Sequence, residues 1–147
     1  MTPTPSDVPD RPDYDTRLAA YAVVVRDGEV LLVLWNEVDP PEWTLPGGGV
    51  DLPETAEEGA VREVREETGY DVVLGRLLGV DTFVVAPDDR LDGSQRWQKN
   101  VRVVFEASVV GGALAAELDG TTDEARWIPL ADVPGLPRIG LVQKFVG

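Results

Sequence analysis

Apolar residues fall mostly into short β-rich runs, and chiefly between Thr55 and Gly69 they switch to helical spacing. Leu18 to Arg26 and Glu29 to Trp35 read as strands joined by Asp27-Gly28, a type I′ hairpin signal. Trp43-Thr44-Leu45 reads as a short strand that Pro46 and the run Gly47-Gly48-Gly49 break. Val72 to Val85 is a long β-rich stretch, with Gly75 and Gly79 marking bends or bulges. Val101 to Val110 and Ala125 to Leu130 are further strands, and Ile139 to Val146 a short closing helix. Asn36 to Glu42 and the polar Ala86 to Trp97 are loops. Strands outnumber helices and hairpins outnumber crossovers, so an α/β fold is expected, with a mixed β-sheet and one helix on each face.

The helix has caps at both ends. Thr55 is a good N-cap, Glu58 three residues on completes a capping box, and Gly69 supplies the left-handed stop. Ala60, Val64 and Thr68, with Val61 beside them, form the core-facing stripe. Glu63, Glu66 and Glu67 share a neighbouring face, and Arg62 and Arg65 are expected to point away from its centre. One reading of that face is a solvated, salt-bridged surface, with Glu58–Arg62 and Arg62–Glu66 as i,i+4 pairs. Against it stand the crowding of like charges, each pair repelling by about 3 kcal/mol at roughly 6 Å, and the placing of Glu66 and Glu67 at the end of the helix where the dipole disfavours anions. A cation on this face resolves both objections.

Composition narrows the chemistry. The chain has 147 residues, enough for one domain with a real core, and no cysteine or histidine. That removes disulfides, thiol nucleophiles and histidine bases together, so acid–base work falls to carboxylates and any metal site must be oxygen-rich. The formal net charge of −14 argues against nucleic acid or an anionic membrane as partner, and means that phosphate substrates need their charge masked. No signal peptide is apparent and no apolar run is long enough to span a bilayer, so a cytoplasmic location is expected. Residues 1–16, rich in proline and aspartate, read as an extended tail ahead of a single domain at 17–147.

Gly48, Glu54, Arg62-Glu63, the aliphatic Val64, Arg65, Glu66-Glu67, Thr68 and Gly69 resemble, in identity and spacing, the signature of the Nudix (MutT-like) hydrolases. Tyr70 stands where that family usually has an aliphatic residue, and Pro53 where a glycine is common. The resemblance is tightest over Leu45–Tyr70, with looser matches at Trp43-Thr44-Leu45-Pro46 and from Ala125 to Leu130. It implies an α/β/α sandwich and a metal-dependent hydrolase that cleaves the pyrophosphate of nucleoside triphosphates, ADP-ribose or nucleotide sugars. A catalytically inactive, ligand-sensing domain of the same fold is the alternative.

Carried over by motif position, Glu63, Glu66, Glu67 and the Gly47 carbonyl would bind Mg²⁺ or Mn²⁺, and Arg62 with Glu54 would brace loop against helix. The general base would be Glu63 or an acid before Trp127, with Asp119 and Asp123 the nearest. For the substrate, Trp97 is the best stacking candidate in its polar setting, while Trp35, Trp43, Tyr21 and Phe83 are the other aromatics weighed. Arg96, Lys99 and Arg102 form the nearest basic cluster for a phosphate or ribose. The partner is thus a small nucleotide, and the family's habit suggests a homodimer with the tail lying across the second subunit.

Overall fold

A computed structural model describes residues 7–11, 13–115 and 122–147, with the side chains of residues 122 and 123 excepted. Seven strands form one mixed sheet: β1 (Asp15–Arg26), β2 (Glu29–Trp35), β3 (Glu42–Thr44), β4 (Gly47–Gly49), β5 (Tyr70–Val85), β6 (Gln98–Gly112) and β7 (Thr122–Pro129). The order is β3-β2-β1-β6-β5, with β4 added on β1 and β7 on β2. β1 and β6 run parallel from Asp15 against Gln98 to Val24 against Ala107, and the remaining pairings are antiparallel.

The hairpin between β1 and β2 forms at Asp27 and Gly28, whose φ values of 52° and 78° match the expected turn. In β5 the pairing register slips between Leu74 and Leu77 and again between Leu77 and Gly79, the two bends that the glycines foretold. Three expectations need correction. The glycine triplet is a strand, with Tyr21, Ala20 and Ala19 paired to Gly47, Gly48 and Gly49. Asp15 and Thr16, assigned to the tail, are strand residues because β6 offers them parallel partners in Gln98 and Lys99. The last strand ends at Pro129, one residue short of the expected Leu130, which opens a short 3₁₀ turn over Leu130–Gly135.

Alternation along β1 and β6 separates two cores. On one face Ala20, Ala22, Val24, Phe105 and Ala107 meet α1 (Ala56–Thr68) through Ala60 and Val64. On the other, Val104 joins Val30, Leu32, Trp43 and Leu45 beneath Leu141 and Val142 of α2 (Gly140–Phe145). The sheet therefore lies between the two helices, as expected. Among the described residues no helix is long and apolar enough to cross a membrane.

Candidate active site

Both helix caps are formed. The Glu58 N–H donates to Thr55 Oγ1 at 3.1 Å and the Thr55 N–H to Glu58 Oε1 at 3.0 Å, while Gly69, at φ 82°, donates its N–H to the Arg65 carbonyl. A side chain at Gly69 would meet the Ala113 carbonyl at 2.2 Å, so this stop admits glycine alone. Tyr70, the departure from the family pattern, has its own partner: its hydroxyl accepts the Trp127 indole N–H at 3.0 Å. The gap between α1 and β7 is filled by an aromatic pair in place of an aliphatic residue.

Arg62 does not point away from the acids. Its Nε and Nη2 fork onto the Glu54 carboxylate at 2.6 and 3.0 Å, and Nη2 also reaches the Gly49 carbonyl at 3.0 Å. Nη1 stands between Glu63 and Glu66, 3.1 Å from an oxygen of each. Five strong donors in a rigid fork allow one guanidinium to serve loop, strand and helix together. Paired with Glu54 first and the helix acids next, Arg62 is held firmly protonated, and the same fork, helped by the Asp51 N–H, holds Glu54 below the usual carboxylate range. This is the brace between loop and helix.

Glu67 is 4% exposed and accepts the Gly47 N–H at 3.3 Å. Gly47 thus meets the helix through its N–H. A Cβ on Gly48 would lie 2.9 Å from the Glu63 carboxyl carbon, so the missing side chain is what gives that carboxylate its room. Gly59, the interior helix glycine, is explained similarly: a Cβ there would press on Val50 Cγ2 at 3.0 Å.

Glu67, Gly47 and Gly48 open onto a cleft of about 770 Å³ on the α2 face. Three rows of residues paired across β1, β6 and β5 run along it, Asp15–Gln98–Val85, Arg17–Asn100–Phe83 and Ala19–Arg102–Asp81, and of these Gln98, Val85, Arg17, Asn100, Phe83 and Arg102 line its floor. Arg102 bonds Asp81 and lies over the Phe83 ring at 4.4 Å. Burial opposes ionisation of Asp81, but Arg102 and Lys144 outweigh it and hold the carboxyl low. Arg90, on the loop after β5, is tied to Asp15 and to Asp92, each at 2.8 Å. Among the described residues Arg17 is the cleft arginine with no carboxylate partner, and its Nη2 comes within 3.3 Å of where a Cβ on Gly49 would stand.

Of the expected substrate contacts, Arg102 lines the cleft, as do Trp35, Tyr21 and Phe83. Trp97 and Lys99 line a smaller pocket with Val8 to Arg11 and Tyr14, and Arg96 is bound to Asp15 at 2.8 Å. For Lys99 the reason is strand parity: even-numbered β6 residues such as Gln98, Asn100 and Arg102 face the cleft and Lys99 the opposite side, while Arg96 and Trp97 precede the strand. Trp43 is in the core. Asp119 lies outside the described residues, and of Asp123 the backbone alone is described, in β7. Sequence reasoning passed over Arg17 and Asn100. The signal was available in the alternation of polar Gln98, Asn100 and Arg102 along a strand otherwise rich in valine.

The acids also bear on whether this helix suits a divalent ion. Their donors are all carboxylate oxygens, the type hard cations prefer, and Glu63 and Glu66 already share one cationic nitrogen. Chemically they fit. As placed, Arg62 and the Gly47 N–H occupy these oxygens, and among the described residues no three acids converge on one point.

The NUDIX domain family matches residues 15–144. A Bacillus subtilis (strain 168) protein provisionally named 8-oxo-dGTP diphosphatase is 35% identical over 125 residues, 81% of this chain and 74% of that one. The ADP-ribose pyrophosphatase of Methanocaldococcus jannaschii is 32% identical over 123 residues, 83% of this chain and 65% of its own. The MutT NUDIX hydrolase of Burkholderia pseudomallei has the same fold, with a TM-score of 0.69 and 27% identity over 90% of this chain and 96% of that one. The chain belongs to the Nudix hydrolase family and is MutT-like. It is a Nudix pyrophosphohydrolase acting on nucleotide anhydrides, from a family that typically depends on divalent metal.

Proposed function

We propose that this chain hydrolyses the pyrophosphate linkage of a nucleoside diphosphate derivative in a Mg²⁺- or Mn²⁺-dependent reaction. The substrates put forward are nucleoside triphosphates, ADP-ribose and nucleotide sugars, a range that takes in the reactions for which the two curated relatives are named. The observation that carries the reading is that Glu67, Gly47, Gly48 and three arginines, Arg17, Arg90 and Arg102, line one cleft. A carboxylate at the glycine strand and guanidiniums along the floor suit a polyanion with a masked scissile phosphorus.

In this reading Glu63, Glu66, Glu67 and the Gly47 carbonyl hold the metal, and bound metal would neutralise phosphate oxygens and lower the pKa of the attacking water. Arg62 and Glu54 keep the glycine strand against the helix, so that the acids and the phosphate are positioned by rigid elements. Gly48 leaves space for the Glu63 carboxylate, a candidate general base, with Asp119 and Asp123 the loop alternatives. Arg17 and Arg102 neutralise the remaining phosphate charge. The domain proper is put at residues 17–147, and a homodimer is the proposed assembly. Val8 to Arg11 and Tyr14, from the proposed tail, line a pocket with their own chain's Trp97 and Lys99. Incubation of the protein with a panel of these nucleotides and Mg²⁺, with products separated by chromatography, tests the activity. Release of a nucleoside monophosphate supports it, and no turnover across the panel overturns it.

A further inference from the structure

Asn100 is a polar residue in the middle of the cleft floor, and it is 4% exposed. Among the described residues its one side-chain hydrogen bond is from its Nδ2 to Gln98 Oε1, at 2.9 Å. That leaves the Asn100 Oδ1 without a protein donor, at a depth where an unmet acceptor is costly. It also leaves the Gln98 Nε2 hydrogens without an acceptor. Gln98 and Asn100 are two residues apart on β6, so both project from the same face, and both line the cleft. Between them they present one acceptor and one donor. Turning both amides over exchanges the atoms but still leaves one of each, so the pattern does not depend on how either amide is oriented.

An adjacent acceptor and donor match the edge of a nucleobase, as Asn and Gln do when they pair with adenine N6 and N7. The neighbours suit a base as well. Phe83 pairs with Asn100 across the sheet and Val85 with Gln98, giving an apolar surface beside the amides, and the Arg102 guanidinium lies over Phe83. Position along the strands agrees. Gly48 pairs with Ala20, and the Asn100 row crosses β1 at Arg17. Asn100 thus lies three residues, about 10 Å, along β1 from the glycine strand and two strand spacings, about 9.6 Å, to the side. Arg17 stands between the two places, at Gly49. A nucleotide laid along this floor puts its phosphates at the glycines and Arg17, and its base at Asn100.

We infer that Asn100, with Gln98, reads the edge of the substrate's nucleobase and sets which nucleotide the cleft accepts. The inference rests on the pyrophosphohydrolase reading for the kind of ligand, and binding tests it without turnover. Wild type, Asn100→Leu and Gln98→Leu are titrated calorimetrically with AMP, GMP, CMP and UMP, and with ribose 5-phosphate as a ligand lacking a base. Gln98 is half-buried, so its variant folds even where the core change does not. The expected result is a spread of roughly tenfold or more among the four nucleotides in wild type, reduced to within about threefold in either variant, with ribose 5-phosphate affinity unchanged. Equal binding of all four by wild type, an undiminished spread in the folded variants, or a parallel loss of ribose 5-phosphate overturns it. A wild type that hydrolyses nothing, yet shows an Asn100-dependent spread, refutes the activity and leaves this inference standing.

Discussion

Arg62 grips Glu54 at two points, Nε to Oε2 at 2.6 Å and Nη2 to Oε1 at 3.0 Å, while its remaining nitrogen bonds both Glu63 and Glu66. One side chain thus fixes the loop before the helix and cancels part of the repulsion on the helix. Arg62→Ala removes both effects and leaves Glu54, Glu63 and Glu66 without their cation. The expected outcome is a loss of about 2 kcal/mol in urea unfolding. Arg62→Lys recovers part of the charge but not the fork, so its stability falls between the two. Equal stability of wild type and Arg62→Ala would show that the brace is ornamental.

Gly48 and Gly69 separate room for chemistry from room for folding. A Cβ at Gly48 meets the end of the flexible Glu63 side chain, whereas a Cβ at Gly69 meets backbone at 2.2 Å with φ at 82°. Gly48→Ala is expected to change stability by less than about 1 kcal/mol and to lower kcat at least about tenfold by displacing Glu63. Gly69→Ala is expected to lower stability by roughly 2 kcal/mol or more. Thermal melts beside initial rates distinguish them, and a Gly48→Ala enzyme with wild-type kcat removes Glu63 from the chemistry.

The loop after β5 is held by charge. Asp15 bonds Arg90 at 2.8 Å and Arg96 at 2.8 Å, and the loop's Asp89, Leu91 and Asp92 line the cleft with Arg90. Asp15→Asn weakens both bonds while keeping the side-chain shape. Amide exchange over residues 88–96 should quicken, and KM should rise several-fold with kcat nearly constant, because the loop shapes the cleft but carries no proposed catalytic group. Unchanged exchange in the variant contradicts that role for Asp15.

Acid stability follows from the same pairs. Arg62 with Glu54, Arg90 and Arg96 with Asp15, and the Ser94 N–H and Arg90 with Asp92 all hold carboxyls below their ordinary values. A carboxyl whose folded pKa is depressed contributes stability that is complete above its unfolded value, about 3.9 for Asp and 4.3 for Glu, and is lost as pH falls through the lower folded one. Unfolding free energy should therefore be level in this respect above about pH 5 and decline below about pH 4. Glu54→Gln should flatten that decline. An unchanged acid limb in the variant removes Glu54 from the linkage.

The fold was legible where local chemistry decides it. Thr55 and Gly69 bracket α1 at the expected ends, and Asp27-Gly28 could make little but a hairpin. Legibility failed where a distant strand decides. Three glycines carry no β preference and become β4 because β1 has an open edge beside them. Asp15 and Thr16 look like tail until β6 lies alongside. In α1 the spacing of the acids put Glu63, Glu66 and Glu67 on one face, but did not show that Glu67 would be buried or that Arg62 would turn inward. Both depend on the strand packed over the helix. Lys99 and Arg102 are close in sequence and divided in space because neighbouring strand residues face opposite ways, while Arg96 lies before β6 and is held by Asp15.

If Glu67 serves the reaction and not the fold, its loss must fall on turnover and metal response and spare stability. Wild type and Glu67→Gln are each melted with and without Mg²⁺, and each is assayed for nucleoside monophosphate release from the best substrate of the panel. The amide oxygen can still accept the Gly47 N–H, and a charge is removed from a buried position near the end of a helix. Expected are a metal-free variant at least as stable as wild type, a Mg²⁺-induced rise in Tm for wild type that is much smaller for the variant, and turnover lowered at least about a hundredfold. Full turnover by Glu67→Gln with the wild-type response to Mg²⁺ would contradict that role for Glu67.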